Sequence, residues 1–342
     1  MPDSSSPEAI PNRPVLCELH KTSSARVFYS EGKSGELEVV KQFLGEEDNA
    51  ARGRFDLEAK FLGTLDHPQT PRLKEDNTDH FHPHFVMEPV MGVRDLREFF
   101  HRNSSPLMAS RIIHSILSPI EYIHGQDLVH RDIKTGNIIG RFLGNPVLSD
   151  FGIAARRKSK RKLLDEEPRL PWADDDEEPT EEYQVVYHAS TGLTETGGCI
   201  GTTDFMSPEQ LRGQEVDTTS DIYNLGITFY EILYGKVPFP VDTGSDCTSD
   251  TSSESFLHED HVSKNIMAYI KQIEAHRKVA LRHVNERIDF SVPRGRDVPM
   301  PLIEVIDRAT QKHPSERYQS AAEMREDLER AIARVGVSTV LA

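Results

Sequence analysis

The sequence predicts an α+β fold of two lobes, a small β-rich N-terminal lobe and a larger helical C-terminal lobe. The pattern between about residues 15 and 43 is typical of strands, with a turn signal at residues 31–35 and alternation of side chains within residues 36–43. Residues 85–90 form a further apolar run, which Met91-Gly92 interrupts. Beyond this point, apolar residues recur at helical spacing as far as residue 335. The change of period places the joint between the lobes near residues 88–92.

The length and composition of the chain agree with this organisation. A chain of 342 residues is long enough for one large domain or for two lobes that share a cleft. Apolar residues make up 37% of the chain and charged residues 28%, as in ordinary soluble globular proteins. The predicted domain covers residues 15–333, with the N-terminal lobe at 15–88 and the C-terminal lobe at 89–333.

Four segments fall outside the regular pattern. Residues 1–14 are rich in serine and proline and lack the apolar region of a signal peptide, so we expect a disordered tail. Residues 334–342 are expected to form a C-terminal tail. Insertions near residues 155–190 and 241–262 are charged or rich in Ser, Thr and Asp, and they lack apolar periodicity. Both insertions are therefore predicted to be loops.

Charge and cysteine content exclude several classes of protein. The formal net charge of −16 argues against general nucleic-acid binding, which requires a basic face. No stretch approaches the roughly 18 uninterrupted apolar residues of a membrane span. The three cysteines, Cys17, Cys199 and Cys247, are far apart, so they indicate neither a disulfide framework nor a zinc site. These features favour a cytoplasmic protein.

Two charged residues stand in apolar stripes of neighbouring elements. Lys41 is in phase with the apolar face of the strand at residues 36–43, and Glu58 lies in the apolar stripe of a helical segment at residues 53–65. A buried ammonium group is costly without a partner, so an ion pair between the two is one interpretation. The alternative is that Lys41 reaches water and that Glu58 lies at the edge of its stripe. The two residues alone leave both interpretations open.

The strongest motif is His130-Arg131-Asp132-Ile133-Lys134-Thr135-Gly136-Asn137, and Asp150-Phe151-Gly152 follows it. Together they resemble the catalytic loop and the metal-binding motif of the eukaryotic-type protein kinase family. The resemblance covers about residues 15–333 and implies the two-lobed kinase fold. It also implies transfer of the γ-phosphoryl group of ATP to hydroxyl groups of protein substrates.

The resemblance assigns roles to four residues of these motifs. Asp132 would orient the substrate hydroxyl and accept its proton, and Lys134 would contact the transferred phosphoryl group. Asn137 and Asp150 would hold Mg²⁺, with Mn²⁺ as an alternative, because hard ions prefer oxygen ligands. Lys134 is also typical of the serine/threonine branch of the family.

Matches elsewhere in the chain imply a nucleotide site. Lys41 resembles the lysine that holds the α- and β-phosphates, and Glu58 resembles the helix glutamate that pairs with it. This favours the ion-pair interpretation of the two buried charges. The resemblance implies further contacts to the nucleotide. Met87 would be the gatekeeper, and Asp95 would contact the ribose. The full set of expected contact residues is Ala25, Val27, Val39, Met87, Glu88, Val90 and Asp95.

The last part of the resemblance lies in the C-terminal half. Residues 201–209 resemble the end of the activation segment, in which Thr202 would help to organise Asp132 and Lys134. Glu209 is expected to pair with Arg317, and Asp221 is expected to anchor the catalytic loop. The phrases Met206–Gln210 and Arg317–Met324 are most similar to bacterial members of the family.

The chain departs from the family at the glycine-rich loop. His20, Thr22 and Ala25 stand where the family usually has glycine, whose missing side chain lets backbone N–H groups approach the phosphates. Small polar residues can still offer N–H and hydroxyl donors, so weaker nucleotide affinity is expected. The alternative function is a pseudokinase, a binding scaffold with the same fold. A small-molecule kinase is a third hypothesis, which Lys134, the Ser207–Glu209 element and Arg317 disfavour.

The second departure is the long activation segment. Arg131 beside Asp132 suggests control by phosphorylation, since a phosphate can pair with its guanidinium group. The candidate sites are Thr191, Thr194 and Thr196, and self-association would allow autophosphorylation in trans. The charged run that begins at Arg156 is interpreted as a linker, with a cis-acting plug as the alternative.

Other side chains in the sequence favour plain structural interpretations. His80, His82 and His84 alternate and could in principle bind a metal, but a turn of the N-terminal lobe is favoured. Cys199 lies near the substrate-facing loop, where an inert thiol is favoured over a redox-sensitive one.

Overall fold

The structure is a computed structural model in which two lobes meet at a cleft. It describes residues 10, 13–22, 24–45, 49–93, 96, 100, 105–141, 144–156, 203–240, 275–291 and 298–340. The N-lobe carries a five-stranded sheet and one helix, and the C-lobe is mainly helical. This confirms the predicted α+β fold with two lobes.

The N-lobe sheet is antiparallel, with its strands in the order β1-β2-β3-β5-β4. Its strands are β1 Cys17–Lys21, β2 Ala25–Glu31, β3 Leu37–Phe43, β4 Leu73–Asn77 and β5 His84–Met87. Helix α1, Asn49–Thr64, follows β3 and packs on one face of the sheet. Because side chains alternate between the two faces of a strand, each strand contributes both to the helix side and to the outer side.

The helix side of the sheet has an aromatic core. The rings of Phe43 and Phe55 lie 5.5 Å apart and those of Phe55 and Phe85 lie 5.0 Å apart, in tilted contacts that suit aromatic quadrupoles. Phe43 and Phe85 belong to β3 and β5, whereas Phe55 belongs to α1. This cluster fixes the helix against the strand that carries Lys41.

The outer side of the sheet is covered by residues from the segment that was predicted to be a tail. Ile10 is buried, only 6% exposed, in a cluster with Phe28, Val40 and Val86. Arg13 forms ion pairs with the carboxylates of Glu38 and Glu75. Ile10 and Arg13 therefore pack with the domain, a result that the polar composition of residues 1–14 did not indicate.

The C-lobe is built around a buried central helix. Its helices are α2 Pro106–Gly125, α3 Pro208–Leu211, α4 Thr218–Tyr234, α5 at residues 275–285, α6 Met300–Ala309 and α7 Ala321–Val340. All residues of α4 after Thr218 are buried. Asp217 caps the helix by accepting a hydrogen bond from the N–H of Thr219. Gly235, with φ of 69°, ends it in the left-handed conformation that glycine adopts without strain.

Close packing of α4 against α6 depends on another glycine. A Cβ atom at Gly226 would lie 2.7 Å from the side chain of Thr310 and 2.9 Å from that of Ala309. Because these distances are shorter than side-chain contacts permit, only glycine allows the two helices to approach so closely.

Five short strands lie beside the cleft, four of them in the segment after α2 and one, β6, before it. They are β6 Gly92–Val93, β7 Leu128–Val129, β8 Ile138–Arg141, β9 Val147–Leu148 and β10 Ala155–Arg156. β8 pairs with both β6 and β9, and β7 pairs with β10. The chain leaves β5 at Met87 and enters another sheet at Gly92. None of the helices in the described part of the chain is long and apolar enough to cross a membrane.

A buried histidine makes the stability of the C-lobe sensitive to acid. His283 in α5 is buried, its Nδ1 lies 2.9 Å from the hydroxyl of Tyr223, and the carbonyl oxygen of His283 accepts a hydrogen bond from Lys312. Burial, with the nearby charge of Lys312, lowers the pKa of His283 to about 3. The unfolded chain then binds one more proton than the folded chain between that value and the ordinary pKa of about 6.5.

We therefore expect unfolding free energy to fall as the pH falls below about 6.5, by about 1.4 kcal/mol per pH unit from this one group. The measurement is urea unfolding at several pH values for the wild type and for His283→Gln, which cannot titrate. As the pH falls below about 6.5, the wild type should lose unfolding free energy relative to His283→Gln, because only the wild type takes up a proton at this position on unfolding. Parallel pH curves would show that His283 does not carry this dependence.

Candidate active site

A cavity of about 780 Å³ lies between the lobes, and it contains most of the residues that the sequence singled out. The predicted residues that line it are Ala25, Val27, Val39, Lys41, Glu58, Met87, Glu88, Val90, Lys134, Asn137 and Asp150. Its volume is in the range of small-molecule and cofactor sites. The N-lobe supplies an apolar upper part and the C-lobe a polar floor.

The two charges that the sequence placed in apolar stripes form an ion pair. The Nζ atom of Lys41 on β3 lies 2.6 Å from Oε2 and 2.8 Å from Oε1 of Glu58 on α1. It also lies 3.6 Å from Oδ1 of Asp150. Burial by itself would lower the pKa of Lys41, but the carboxylates of Glu58 and Asp150 together raise it. Lys41 is therefore a fixed positive charge in the cleft.

Asp150 presents its carboxylate to the cavity from a left-handed backbone. Its φ is 65°, a conformation that costs free energy for a residue other than glycine. Phe151 beside it is buried, with its ring 4.8 Å from that of His130. The positive charge of Lys41 lowers the pKa of Asp150, and the Asp150 side chain remains 46% exposed. An ionised carboxylate thus faces the open cleft.

Within the loop at residues 130–137, three side chains hold one another in place. Lys134 donates a hydrogen bond of 2.7 Å to Oδ2 of Asp132. The Nδ2 atom of Asn137 donates to the backbone oxygen of Asp132 at 2.8 Å and to its Oδ2 at 2.9 Å. The other oxygen, Oδ1 of Asp132, is buried and has no hydrogen-bond partner among the described residues. One carboxylate oxygen of Asp132 is therefore held by two donors, and the other is buried without a partner among the described residues.

The backbone of the loop is held from below by Asp221 of α4. Its Oδ2 and Oδ1 accept hydrogen bonds of 2.8 Å from the N–H groups of His130 and Arg131. His124 lies 2.8 Å from Oδ2. Burial would raise the pKa of Asp221, but the hydrogen bond and charge of His124, with His130, lower it. Arg131 has a φ of 70°, so these contacts hold a backbone conformation that is otherwise unfavourable.

A second buried ion pair supports the segment after the loop. Arg317 donates to Oε1 of Glu209 at 2.6 Å and to Oε2 at 2.8 Å. Arg317 is 1% exposed and also donates to the carbonyl oxygens of Gln311, Lys312 and Thr219. Burial would raise the pKa of Glu209, and the hydrogen bonds from Arg317 lower it. The pairing agrees with the expectation from the sequence.

Several lining residues were not singled out as nucleotide contacts. Leu19, Tyr29, Leu62 and Ile139 also face the cavity. Nothing in the sequence singled out Ile139, which lies in β8 two residues after Asn137. The signal for Leu62 was its place one helical turn after Glu58.

Other predicted residues lie outside the described residues. They include Asp95 at the ribose position, Thr202, Cys199, the candidate phosphorylation sites Thr191, Thr194 and Thr196, and most of both insertions. For these residues the expectations from the sequence remain predictions.

The donors at the cavity floor suit a hard divalent ion. Asn137 uses its amide nitrogen to bind Asp132, so its Oδ1 faces away from that bond, and Asp150 offers a carboxylate to the same cavity. Mg²⁺ characteristically takes one or two protein oxygens together with water and substrate phosphates. Among the described residues there is no group of three His, Cys, Asp or Glu residues placed to hold a metal, and His80, His82 and His84 form none.

Residues 22–328 match the protein kinase domain family. The chain belongs to this family. This confirms the resemblance drawn from the catalytic loop and from Asp150-Phe151-Gly152.

The kinase domain is similar to serine/threonine-protein kinases of several bacteria. It is 28% identical to PrkC of Bacillus subtilis, over 83% of this chain and 34% of that protein. It is 28% identical to the probable kinase PknB of Lactococcus lactis, over 92% of this chain and 41% of that protein. It is 30% identical to PknB of Mycobacterium leprae, over 80% of this chain and 35% of that protein. The chain spans about a third to two fifths of the length of these relatives.

The Glu209–Arg317 pair yields a prediction about stability. Replacing Arg317 by Met leaves the Glu209 carboxylate buried without its partner, which typically destabilises a protein by about 3–5 kcal/mol. The measurement is the free energy of unfolding in urea for Arg317→Met and for the control Arg287→Ala. Arg287 pairs with Asp307 on the surface, where the loss should stay within about 1 kcal/mol. Equal losses in both variants would contradict a supporting role for the buried pair.

Proposed function

We propose that this chain transfers the γ-phosphoryl group of ATP to serine or threonine hydroxyls of protein substrates. The observation that carries the proposal is the state of Asp132. Its Oδ2 is bound by Lys134 and Asn137, whereas its buried Oδ1 has no partner among the described residues. Asp132 does not itself line the cavity, but Lys134 and Asn137, which bind it, do, and the cavity has the size of a nucleotide site. A carboxylate oxygen with an unused acceptor position can receive the proton of a substrate hydroxyl group.

The proposed reaction follows from these positions. The substrate oxygen attacks the γ-phosphorus while the bond from phosphorus to the β–γ bridging oxygen breaks, and ADP leaves. The hydroxyl proton passes to the carboxylate of Asp132. Lys134, held beside Asp132, supplies positive charge where negative charge develops on the transferred group. Because the carboxylate and ammonium groups are already placed, little reorganisation is needed during the reaction.

The same geometry supports ATP as the donor nucleotide. Lys41 is fixed by Glu58 with its ammonium group facing the cavity, where it can contact the α- and β-phosphates. Val27, Val39 and Met87 form an apolar pocket suited to a purine ring. Asn137 and Asp150 are the residues that would hold Mg²⁺ or, in its place, Mn²⁺. When bound, such an ion supplies positive charge that neutralises the phosphates.

The half-buried side chain of Arg131 supports control by phosphorylation. The Nε atom of Arg131 is buried and has no hydrogen-bond partner among the described residues, and this burial lowers the pKa of Arg131. A phosphate group on a nearby threonine would satisfy the guanidinium group and hold the segment in place. We infer that the chain phosphorylates its own activation segment, through self-association of two copies.

The alternative is a pseudokinase that binds ligands without catalysis. The side chains at His20, Thr22 and Ala25, where the family usually has glycine, favour it. The intact ion pair between Lys41 and Glu58, and the ordered positions of Asp132 and Asp150, favour catalysis. Catalysis is therefore the leading proposal.

The test is the transfer of labelled phosphate from ATP·Mg²⁺ to the protein itself and to a basic protein substrate. Asp132→Asn should lower turnover by about 10²–10⁴-fold and leave the Kd for ATP unchanged, because the loss is confined to proton transfer and orientation. Asp127→Asn is the matched control. Asp127 is exposed, lies five positions earlier and has a φ of 58°, which Asn tolerates, so its turnover should equal that of the wild type.

Each outcome of this test has a definite meaning. Transfer in the wild type and in Asp127→Asn, but not in Asp132→Asn, supports an active kinase, and mapping of the labelled residues tests autophosphorylation. Wild-type turnover in Asp132→Asn would contradict the role of Asp132. Binding of ATP without transfer in any variant would favour the pseudokinase.

A further inference from the structure

The turn between β1 and β2 closes on itself through one threonine side chain. The hydroxyl oxygen of Thr22 accepts a hydrogen bond of 3.0 Å from the N–H of Ala25 and lies 3.1 Å from the carbonyl oxygen of Ala25, to which it donates. The N–H of Thr22 donates to the same carbonyl at 2.8 Å. The hydroxyl group and the amide of Ala25 therefore satisfy each other.

This turn borders the cavity in which the proposed function places the nucleotide. Thr22 and Ala25 line the cavity together with Lys41 and Asp150. Val27 of β2 lies opposite Lys41 of β3. Ala25 lies two residues before Val27 and on the same face of β2. In kinases this loop covers the phosphates, and its backbone N–H groups are the donors that it can offer them.

We propose that the Thr22 side chain competes with the nucleotide phosphates for the backbone N–H of Ala25, and so sets how much the phosphates contribute to binding. The proposal rests on the proposed function, because it takes ATP as the occupant of the cavity. A glycine at position 22 would have no hydroxyl group and would leave this amide free. Thr22 is thus a positioning residue that acts through Ala25.

The charges of the cleft make the loss of one donor important. The described charged groups around the phosphate position are the ammonium groups of Lys41 and Lys134 and the carboxylates of Glu58, Asp132 and Asp150. Carboxylates outnumber ammonium groups here, in a chain with a net charge of −16. Each neutral donor that the loop supplies therefore adds to the positive charge of Lys41 and of a bound Mg²⁺ in holding a polyanionic ligand.

The strength of the competing bonds indicates the size of the effect. Both hydrogen bonds of the Thr22 hydroxyl are exposed to solvent, so each contributes little to stability. A bond from an amide to a phosphate is charge-assisted and stronger, so ATP can displace the hydroxyl group but must break its bonds first. Removing the hydroxyl group should strengthen ATP binding by about three- to tenfold.

The experiment measures Kd for ATP and for adenosine, in the presence of Mg²⁺, by isothermal titration calorimetry. The proteins are the full-length wild type, Thr22→Val, which keeps the branched shape but lacks the hydroxyl group, and Thr22→Ser, which keeps the hydroxyl group. The ratio of the adenosine Kd to the ATP Kd should rise about three- to tenfold in Thr22→Val. It should keep the wild-type value in Thr22→Ser. The KM for ATP should fall in Thr22→Val with kcat unchanged.

The outcomes separate this inference from the proposed function. A wild-type ratio in Thr22→Val, with ATP still bound and transferred, would overturn the role of Thr22 and leave the kinase proposal intact. A lower ratio in Thr22→Val would also overturn it, because the hydroxyl group would then be a phosphate donor. If ATP bound no more tightly than adenosine to all three proteins, neither proposal would survive. A fall in kcat without a change in KM would identify a structural role.

Discussion

The buried carboxylate of Asp221 is the constraint on which the C-lobe half of the site depends. It accepts hydrogen bonds from two consecutive backbone N–H groups, those of His130 and Arg131, and lies beside His124. A buried carboxylate without hydrogen-bond donors would be very costly in free energy. The loop supplies these donors to Asp221, and the same hydrogen bonds hold the loop in its position. The left-handed conformation of Arg131, immediately before Asp132, persists because these bonds hold it.

The same helix connects the loop with the segment that follows the active site. From α4, Ser220 donates to Glu209, which in turn binds Arg317, while Glu231 accepts a hydrogen bond of 2.7 Å from Thr135 in the loop. A helix that is buried over nearly all of its length therefore presents polar side chains to both functional segments. The N-lobe contributes the other half of the site, and the contact between Lys41 and Asp150 links the two halves.

Sequence reasoning succeeded where chemistry imposes a residue type at a fixed spacing. Lys41 and Glu58 stood out because ionised groups in apolar stripes need partners, and the catalytic loop stood out through its spacing. The closure of the β1–β2 turn by Thr22 could not be foreseen, because it depends on one side-chain rotamer. The packing of Ile10 on the outer face of the sheet was hidden by the polar, proline-containing residues around it. His283 gave no signal, because only the tertiary structure buries it.

The most direct test of this account is Asp221→Asn, studied by hydrogen exchange and by phosphoryl transfer. An asparagine side chain can accept hydrogen bonds through one oxygen only. Its NH₂ group would face the second backbone N–H, so that two donors would meet and this N–H would lose its acceptor. We expect faster exchange at the amides of residues 130 and 131 and a fall in kcat of about 10²-fold, with the Kd for ATP largely retained. Wild-type exchange at these amides together with wild-type kcat would contradict it.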